Sequence, residues 1–181
     1  NYFSLGRELA AVRAVQSRAA ARLAAGPTLS RGVYLHASGQ AEDAFNRGDL
    51  QSAYNGFSAL LERILAQPPG APRGPGSDEH CSILQQLAHC REEGGRPQAA
   101  EQLLREALTL IVAIIDAEPE NQWLIRQHGV LLNDLGNVLA VQGRYAEAQG
   151  AYEDGLKVKQ QLQDERGRGV TLGQLGALAL R

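Results

Sequence analysis

The sequence contains no methionine, not even at position 1, so we expect it to be a piece of a longer protein or a trimmed chain. It has no run of about 18 apolar residues, which argues against a membrane-spanning helix. Aromatic residues make up only 5% of the chain, few for a surface that stacks on nucleic-acid bases. The net charge of −2 provides no field that attracts nucleic acid or an anionic membrane. We therefore expect neither nucleic acid nor membrane as a partner.

The two cysteines, Cys81 and Cys90, lie nine residues apart in one predicted helix. At about 100° per residue they point to opposite sides with roughly 13 Å of rise between them, whereas a disulfide needs Cα atoms within about 7 Å. Reduced thiols favour a cytoplasmic location. The neighbouring His80 and His89 are separated in the same way and cannot converge on a tetrahedral metal ion. We therefore expect no metal site.

Residues that would indicate catalysis are scattered along the chain. No Ser–His–Asp or paired-carboxylate arrangement stands out. The Gly- and Pro-rich stretch at 70–76 lacks the lysine and the following helix start of a phosphate-binding loop. The sequence therefore predicts no catalytic residue, no cofactor and no enzymatic activity.

What the sequence does contain is a repeated spacing of small residues. The first helix of each unit carries a small residue, which is Ala41, Ala88, Gly136 or Gly176. A glycine follows seven residues later in three units, at Gly48, Gly95 and Gly143. An alanine comes five residues after that, and a large apolar residue four residues further on, at Phe57, Leu104 and Tyr152. Three complete matches at constant offsets indicate an internal repeat.

The spacing predicts a helical hairpin in each unit. Gly136 and Ala148 would lie on successive helices, where small side chains let the two backbones approach while Tyr152 fills the space around them. Gly143 would end the first helix, since glycine adopts a positive φ without strain. One hairpin cannot cover its own apolar faces, so we expect the hairpins to stack.

This pattern resembles the tetratricopeptide repeat. The residues that carry the resemblance are Leu132, Leu135, Gly136, Leu139, Gly143, Tyr145, Ala148, Tyr152 and Gly155. The spacings of 47, 48 and 40 residues between units are similar to the long-helix variety found in kinesin light chains and in bacterial signalling proteins, which also favours a bacterial source. The resemblance implies an all-α fold, a right-handed superhelical solenoid of stacked antiparallel hairpins.

The predicted organisation follows from the repeats and the helix breakers. Residues 1–27 form an N-terminal amphipathic helix, and residues 28–181 form the array. Its repeats span about 30–67, 78–117 and 119–163, with a half-repeat at 166–181. Residues 68–77, which hold four of the seven prolines, form an exposed linker between the first two repeats.

The resemblance implies a groove lined by the first helix of each repeat, which holds a peptide or a partner helix. Carried over to this sequence, the groove residues are Asn133, Asn137, Gln85, His89, Glu92, Ser38 and Glu42. Asparagine and glutamine amides can pair with both the donor and the acceptor of a peptide backbone. We therefore expect a non-catalytic scaffold for protein–protein interaction. A solvated polar face, and a regulatory segment of a larger bacterial ATPase or caspase-like protease, remain alternatives, as does a self-assembly module.

The last predicted helix, near 166–180, carries apolar residues around much of its circumference. We expect Leu175 and Leu178 to pack on the third repeat and Leu172 to join that face, while Val170 and Leu180 spread beyond it. Because no second helix follows, the sequence predicts that another surface covers the exposed leucines. In a longer protein that surface would be the next half-repeat, and for this chain alone it would be a second copy, so a homodimer through the C-terminal helix is a further expectation.

Overall fold

A computed structural model describes residues 29–67 and 77–180. These residues form two compact units, which divide between Gly76 and Ser77, and each is treated by itself below. Within the described ranges all regular structure is helical. We number the helices α1 (Arg31–Asn46), α2 (Leu50–Leu65), α3 (Ser77–Glu93), α4 (Pro97–Ala117), α5 (Gln122–Val141), α6 (Tyr145–Gln161) and α7 (Glu165–Ala179). The predicted all-α architecture of helical hairpins is confirmed.

Side-chain caps and positive-φ glycines define where the helices begin and end. The first helix of each complete hairpin stops just before a glycine with φ near +75°, at Gly48, Gly95 and Gly143, as the spacing predicted. Asp49 and Asp164 cap α2 and α7, since a carboxylate oxygen of each accepts a hydrogen bond from a backbone N–H three residues later. The turns are therefore encoded locally, in the residues that form them.

The first unit contains the hairpin of α1 and α2. Ala41 of α1 faces α2 so closely that a Cβ placed on Gly56 would lie 2.9 Å from the Ala41 Cβ. Phe57 and Leu60 are buried beside this contact. Small residues at the crossing and large ones next to it give the close packing that the repeat predicted.

The second unit contains α3 to α7, and each helix packs against the next along the chain, while α3 also contacts α5. Gly136 of α5 lies against Tyr152 of α6, and a Cβ on Gly136 would lie 2.5 Å from Cδ1 of that ring. Ala148 is fully buried in the same hairpin. Gly136 thus leaves room for the Tyr152 ring, as the spacing predicted, whereas the part that Ala148 plays in the approach of the two helices stays a prediction.

Several predicted boundaries differ from the observed ones, and others fall outside the described residues. Residues 1–28 and 68–76 are outside the described residues, so the N-terminal helix and most of the linker stay predictions. Ser77, which we placed in the linker, is the first residue of α3. Helix α5 begins at Gln122 rather than near 119, because the Asn121 side chain accepts a hydrogen bond from the backbone N–H of Leu124. The division into domains and repeats as a whole also stays a prediction.

Helix α7 packs in a way that the sequence did not indicate. Leu172 is 52% exposed, so the expectation that it joins the packing face is wrong. Leu175 and Leu178 are half-buried. Thr171, a polar residue, is the one completely buried residue of this helix. Thr171 is buried because its hydroxyl accepts hydrogen bonds from Asn133 of α5 and Lys159 of α6.

Candidate partner-binding face

Two first helices of the second unit, α3 and α5, carry the groove residues predicted there, and α7 is the next first helix beside them. We call this surface the first-helix face. Gln85 and His89 on α3 occupy the positions that Asn133 and Asn137 occupy on α5, 48 residues later. Each pair is spaced i and i+4, so its two side chains lie on one side of their helix. The structure brings all four residues to contacts between successive first helices.

Each of these two pairs contacts one residue on the first helix of the following hairpin. The Gln85 amide Nε2 donates to Oδ2 of Asp134 at 2.7 Å, and Nε2 of His89 lies 3.1 Å from the same oxygen. Forty residues later, Gln174 takes the place of Asp134. The two pairs thus form equivalent polar contacts at successive steps of the stack.

Gln174 bridges both amides of the α5 pair. Its Oε1 accepts from Nδ2 of Asn133 at 2.9 Å, and its Nε2 donates to Oδ1 of Asn137 at 2.8 Å. Sequence reasoning missed Asp134 and Gln174. A signal was present, because each directly precedes a Leu–Gly pair of the repeat, at Leu135 and Leu175.

The contact between His89 and Asp134 is electrostatic as well as polar. Their side chains are 30% and 17% exposed. The hydrogen bond to Asp134 raises the pKa of His89, and this effect outweighs burial, which lowers it. Burial raises the pKa of the nearby Glu92 carboxyl. Protonation of His89 therefore strengthens the link between α3 and α5 at the centre of an acidic region.

Asn133 is 7% exposed and belongs to a buried polar network. Its Nδ2 also donates to Oγ1 of Thr171 at 3.0 Å, and the Lys159 ammonium donates to the same hydroxyl at 2.6 Å. Lys159 is 6% exposed, and no carboxylate of the described residues lies within ion-pair distance of it. Burial lowers the pKa of this lysine. The described contacts of Asn133 are all within the chain and join α5, α6 and α7.

A cleft of about 270 Å³ opens beside Asn137. Its polar residues are Asn137, Tyr152 and Gln174, and its apolar ones are Ala140, Val141, Ala177 and Leu178. The Tyr152 hydroxyl donates to Oδ1 of Asn137 at 2.8 Å, so this oxygen accepts two hydrogen bonds. No bond within the described part of the chain uses Nδ2 of Asn137. The cleft therefore combines apolar walls with an amide donor.

The predicted residues of the first unit form a contact of their own. The Ser38 hydroxyl donates to Oε1 of Glu42 at 3.1 Å, across one turn of α1. Ser38 is buried and Glu42 is exposed. The role of all seven predicted residues in binding a partner stays a prediction.

The cysteines and histidines do not assemble into a metal site in the described ranges, where no group of three or more potential metal ligands occurs. Cys81 and Cys90 are both buried free thiols, and burial raises the pKa of Cys81 to about 11. Of the helices between 29 and 180 that the structure describes, none is long and apolar enough to cross a membrane.

Comparisons with known proteins agree with this geometry. Residues 130–162, which hold most of α5 and all of α6, match the family model of the tetratricopeptide repeat. This match is confined to one segment of the chain, the length of a single repeat. No curated protein sequence matches the chain closely enough to count as a relative.

Two solved structures of TPR-like proteins share the fold. BtubC (BKLC) from P. vanneervenii is 21% identical with a TM-score of 0.64, and the match covers 96% of this chain and 65% of that one. A putative kinesin light chain from Podosopora anserina with nearly identical TPR-like repeats is 14% identical with a TM-score of 0.59, covering 79% and 64%. This chain therefore spans slightly less than two thirds of either protein. The predicted resemblance to TPR proteins of the kinesin light chain type is confirmed at the level of fold.

Proposed function

We propose that the chain is a non-catalytic scaffold that holds an extended segment of a partner protein on the first-helix face. The TPR fold supports protein–protein interaction in general. Here the observation that carries the proposal is the cleft beside Asn137, which offers an amide donor between apolar walls. A peptide would place a carbonyl oxygen on Nδ2 of Asn137 and an apolar side chain between Val141 and Leu178.

The remaining predicted residues of the second unit extend this site along α3. Gln85 and His89 are joined to Asp134, and Glu92 makes no hydrogen bond among the described residues, so its carboxylate is available to a partner. Residues 77–180 hold nine Lys and Arg and fifteen Asp and Glu, a net charge of −6. We therefore infer that the bound segment combines an apolar anchor for the cleft with basic residues for the α3 end.

Asn133 has a supporting role in this proposal. Because its amide is buried and shared between Thr171 and Gln174, it holds Gln174 in the position from which that residue contacts Asn137. Asn133 would thus affect binding through the shape of the cleft. A cytoplasmic location and a bacterial source stay predictions.

A selection from random displayed peptides on the full chain tests the proposal. Asn137→Asp keeps the oxygen that accepts from Tyr152 and Gln174 but removes the free donor, and Val141→Glu places a charge on the cleft wall. We expect each variant to weaken the selected peptides at least about tenfold, the equivalent of one hydrogen bond or apolar contact of about 1.4 kcal/mol. The matched control, Val112→Glu on the exposed side of α4, should leave affinity unchanged.

Two results would count against the proposal. One is selected peptides that bind all three variants like the parent chain, since the binding surface would then lie elsewhere. The other is a set of selected peptides without basic residues, which would contradict the inferred charge of the partner while leaving the cleft in place.

A further inference from the structure

Trp123, the single tryptophan of the chain, is 45% exposed near the start of α5. The cleft residue Val141 is the last residue of the same helix. Eighteen positions separate the two residues, which is five turns at 3.6 residues per turn, so both side chains leave α5 in the same direction. Asn137 lies within about 40° of that direction. Trp123 therefore belongs to the side of α5 that forms the cleft.

A narrow crevice between α3, α4 and α5 has Trp123 in its lining. Its buried lining residues are Cys81, Ile111 and Leu131, and its half-buried polar ones include Asp78, Ser82 and Gln127. Among the described residues that line the crevice, Asp78 carries the one charge. The tryptophan ring thus shares an opening with a carboxylate.

The carboxylate of Asp78 is available to a ligand. The Ser82 hydroxyl donates to the backbone carbonyl of Asp78 at 3.1 Å, not to its side chain. Within the part of the chain that the structure describes, the Asp78 carboxylate makes no hydrogen bond or ion pair. A carboxylate and an aromatic ring together attract a cation, the first by its charge and the second through its electron-rich face. Arginine suits this pair because its planar guanidinium stacks on an indole ring while its N–H groups donate to a carboxylate.

Exposure alone does not distinguish Trp123 from other residues. Val112 and Tyr145 are 43% and 38% exposed, but neither lines the crevice or the cleft beside Asn137. Trp123 combines its exposure with a nearby carboxylate and with the direction of the cleft. We propose that Trp123 and Asp78 bind an arginine of the same partner segment whose apolar anchor occupies the cleft. This inference rests on the proposed function, and it means that the segment lies lengthwise along α5.

The length of α5 fixes the spacing that the segment needs. Trp123 and Asn137 are fourteen positions apart, which corresponds to about 21 Å of rise along the helix. An extended chain advances about 3.3 Å per residue, so about six residues separate the apolar anchor from the arginine. Gln127 lies between the two contacts on the same side of α5 and offers an amide to the peptide backbone. A segment that crossed the stack from α3 to α7 would not reach both contacts.

The emission of the single tryptophan reports directly on this contact. The probe is the tightest tryptophan-free peptide from the display selection, titrated into the full chain. We expect a saturable change in Trp123 emission, with the same Kd as the anisotropy of a fluorescein-labelled copy gives. Replacing the arginine of the peptide with citrulline keeps its shape but removes its charge, and should weaken binding at least about fivefold. Moving the arginine three residues towards the anchor should have the same effect.

Variants of the chain connect the arginine to its proposed partners. Trp123→Ala should weaken the arginine peptide about tenfold and the citrulline peptide less than about threefold, because only the former loses a cation–aromatic contact. Asp78→Asn should show the same preference with a loss of about threefold, and it provides the test if Trp123→Ala does not fold. The matched control, Tyr145→Ala, removes another exposed aromatic ring and should leave both affinities unchanged. Thermal denaturation shows whether each variant is folded.

Three outcomes would overturn the inference. The first is binding that Asn137→Asp weakens but that changes neither Trp123 emission nor the affinity of Trp123→Ala, in which case the proposed function stands and the arginine contact fails. The second is an affinity that does not depend on where the arginine stands, since the attraction would then be a long-range effect of net charge. The third is a response of Trp123 to peptides that Asn137→Asp does not weaken, which would separate the crevice from the cleft and contradict the proposed function as well.

Discussion

Helices α6 and α7 both contact α5, but the two contacts are built from different chemistry. Helix α6 approaches α5 through small residues, and its Tyr152 ring lies directly over Gly136. Helix α7 is joined to α5 through Thr171, Gln174 and the buried amide of Asn133. The α5–α6 contact therefore depends on side-chain volume and the α5–α7 contact on polar pairing, even though α6 and α7 are neighbours along the chain.

The strongest test of the volume-dependent contact is Gly136→Leu. Because a Cβ at this position already overlaps the Tyr152 ring, we expect the larger side chain to cost about 3 kcal/mol or more of the free energy of unfolding. Gly176→Leu is the matched control, since it lies at the equivalent position of α7 with nothing within 4 Å. Urea denaturation compares them, and equal losses would show that the two glycines do not differ in packing.

The corresponding test of the polar contact is Thr171→Val. This change keeps the shape of the side chain but removes the hydroxyl that Asn133 and Lys159 share. Leaving buried polar groups without a partner should cost about 1–3 kcal/mol of the free energy of unfolding. Thr109→Val on the exposed surface of α4 should cost less than about 0.5 kcal/mol. A neutral Thr171→Val would mean that apolar contacts alone hold α7.

Because Lys159 is buried against Thr171 of α7, the free energy of unfolding should depend on pH. Its pKa is lowered by burial, so its charged form destabilises the folded chain at neutral pH. That penalty disappears as pH rises through the lowered pKa towards the unfolded value of about 10.4. We expect the parent chain to gain stability in this alkaline range and Lys159→Met to lack the gain. Chemical denaturation at several pH values measures it, and parallel curves for the two proteins would contradict it.

The smallest expected effect concerns the contact between α3 and α5. The pKa of His89 is raised by Asp134, so the contact contributes fully below the unfolded histidine pKa of about 6.5 and is lost as pH rises through the folded value. Asp134→Asn should remove this dependence, with a change in the free energy of unfolding of less than about 1 kcal/mol.

The quantity to measure is the difference in the pH dependence of unfolding between the parent chain and Asp134→Asn. Burial lowers the pKa of His80 and of His128, so these residues titrate in the opposite sense, and both remain in the variant. Nuclear magnetic resonance titration of the His89 ring provides the direct measurement. A His89 pKa that Asp134→Asn leaves unchanged would show that the hydrogen bond is not its cause.

Much of the fold could be predicted because the hairpin is a local structure. The three turn glycines stand seven residues after a small residue in each unit, and all three have positive φ. Gly136 and Ala148 were recognisable as packing positions from their spacing alone. The predicted third repeat starts near 119, which is too early for α5, because the asparagine cap at Asn121 decides where the helix begins.

The candidate site was predictable only in part. The repeat placed Gln85, His89, Asn133 and Asn137 in one register, and the structure does bring them to equivalent contacts. Their partners were not predicted, because a polar residue on a helix can face solvent, a ligand or another helix with the same local sequence. Leu172 was misplaced for the same reason, since its apolar character does not indicate which side of α7 meets α5.

Spacing along the chain was sufficient to predict the helices and their turns, because those features depend on residues within about one hairpin of each other. Which side of α7 is buried, and whether Asn133 is exposed, depended on the rotation of one helix against another. That rotation follows from the whole set of contacts between helices, and Asn133 and Gln174 meet across 41 residues of sequence. Local propensity does not encode such a contact, because it is made only when the hairpins have stacked.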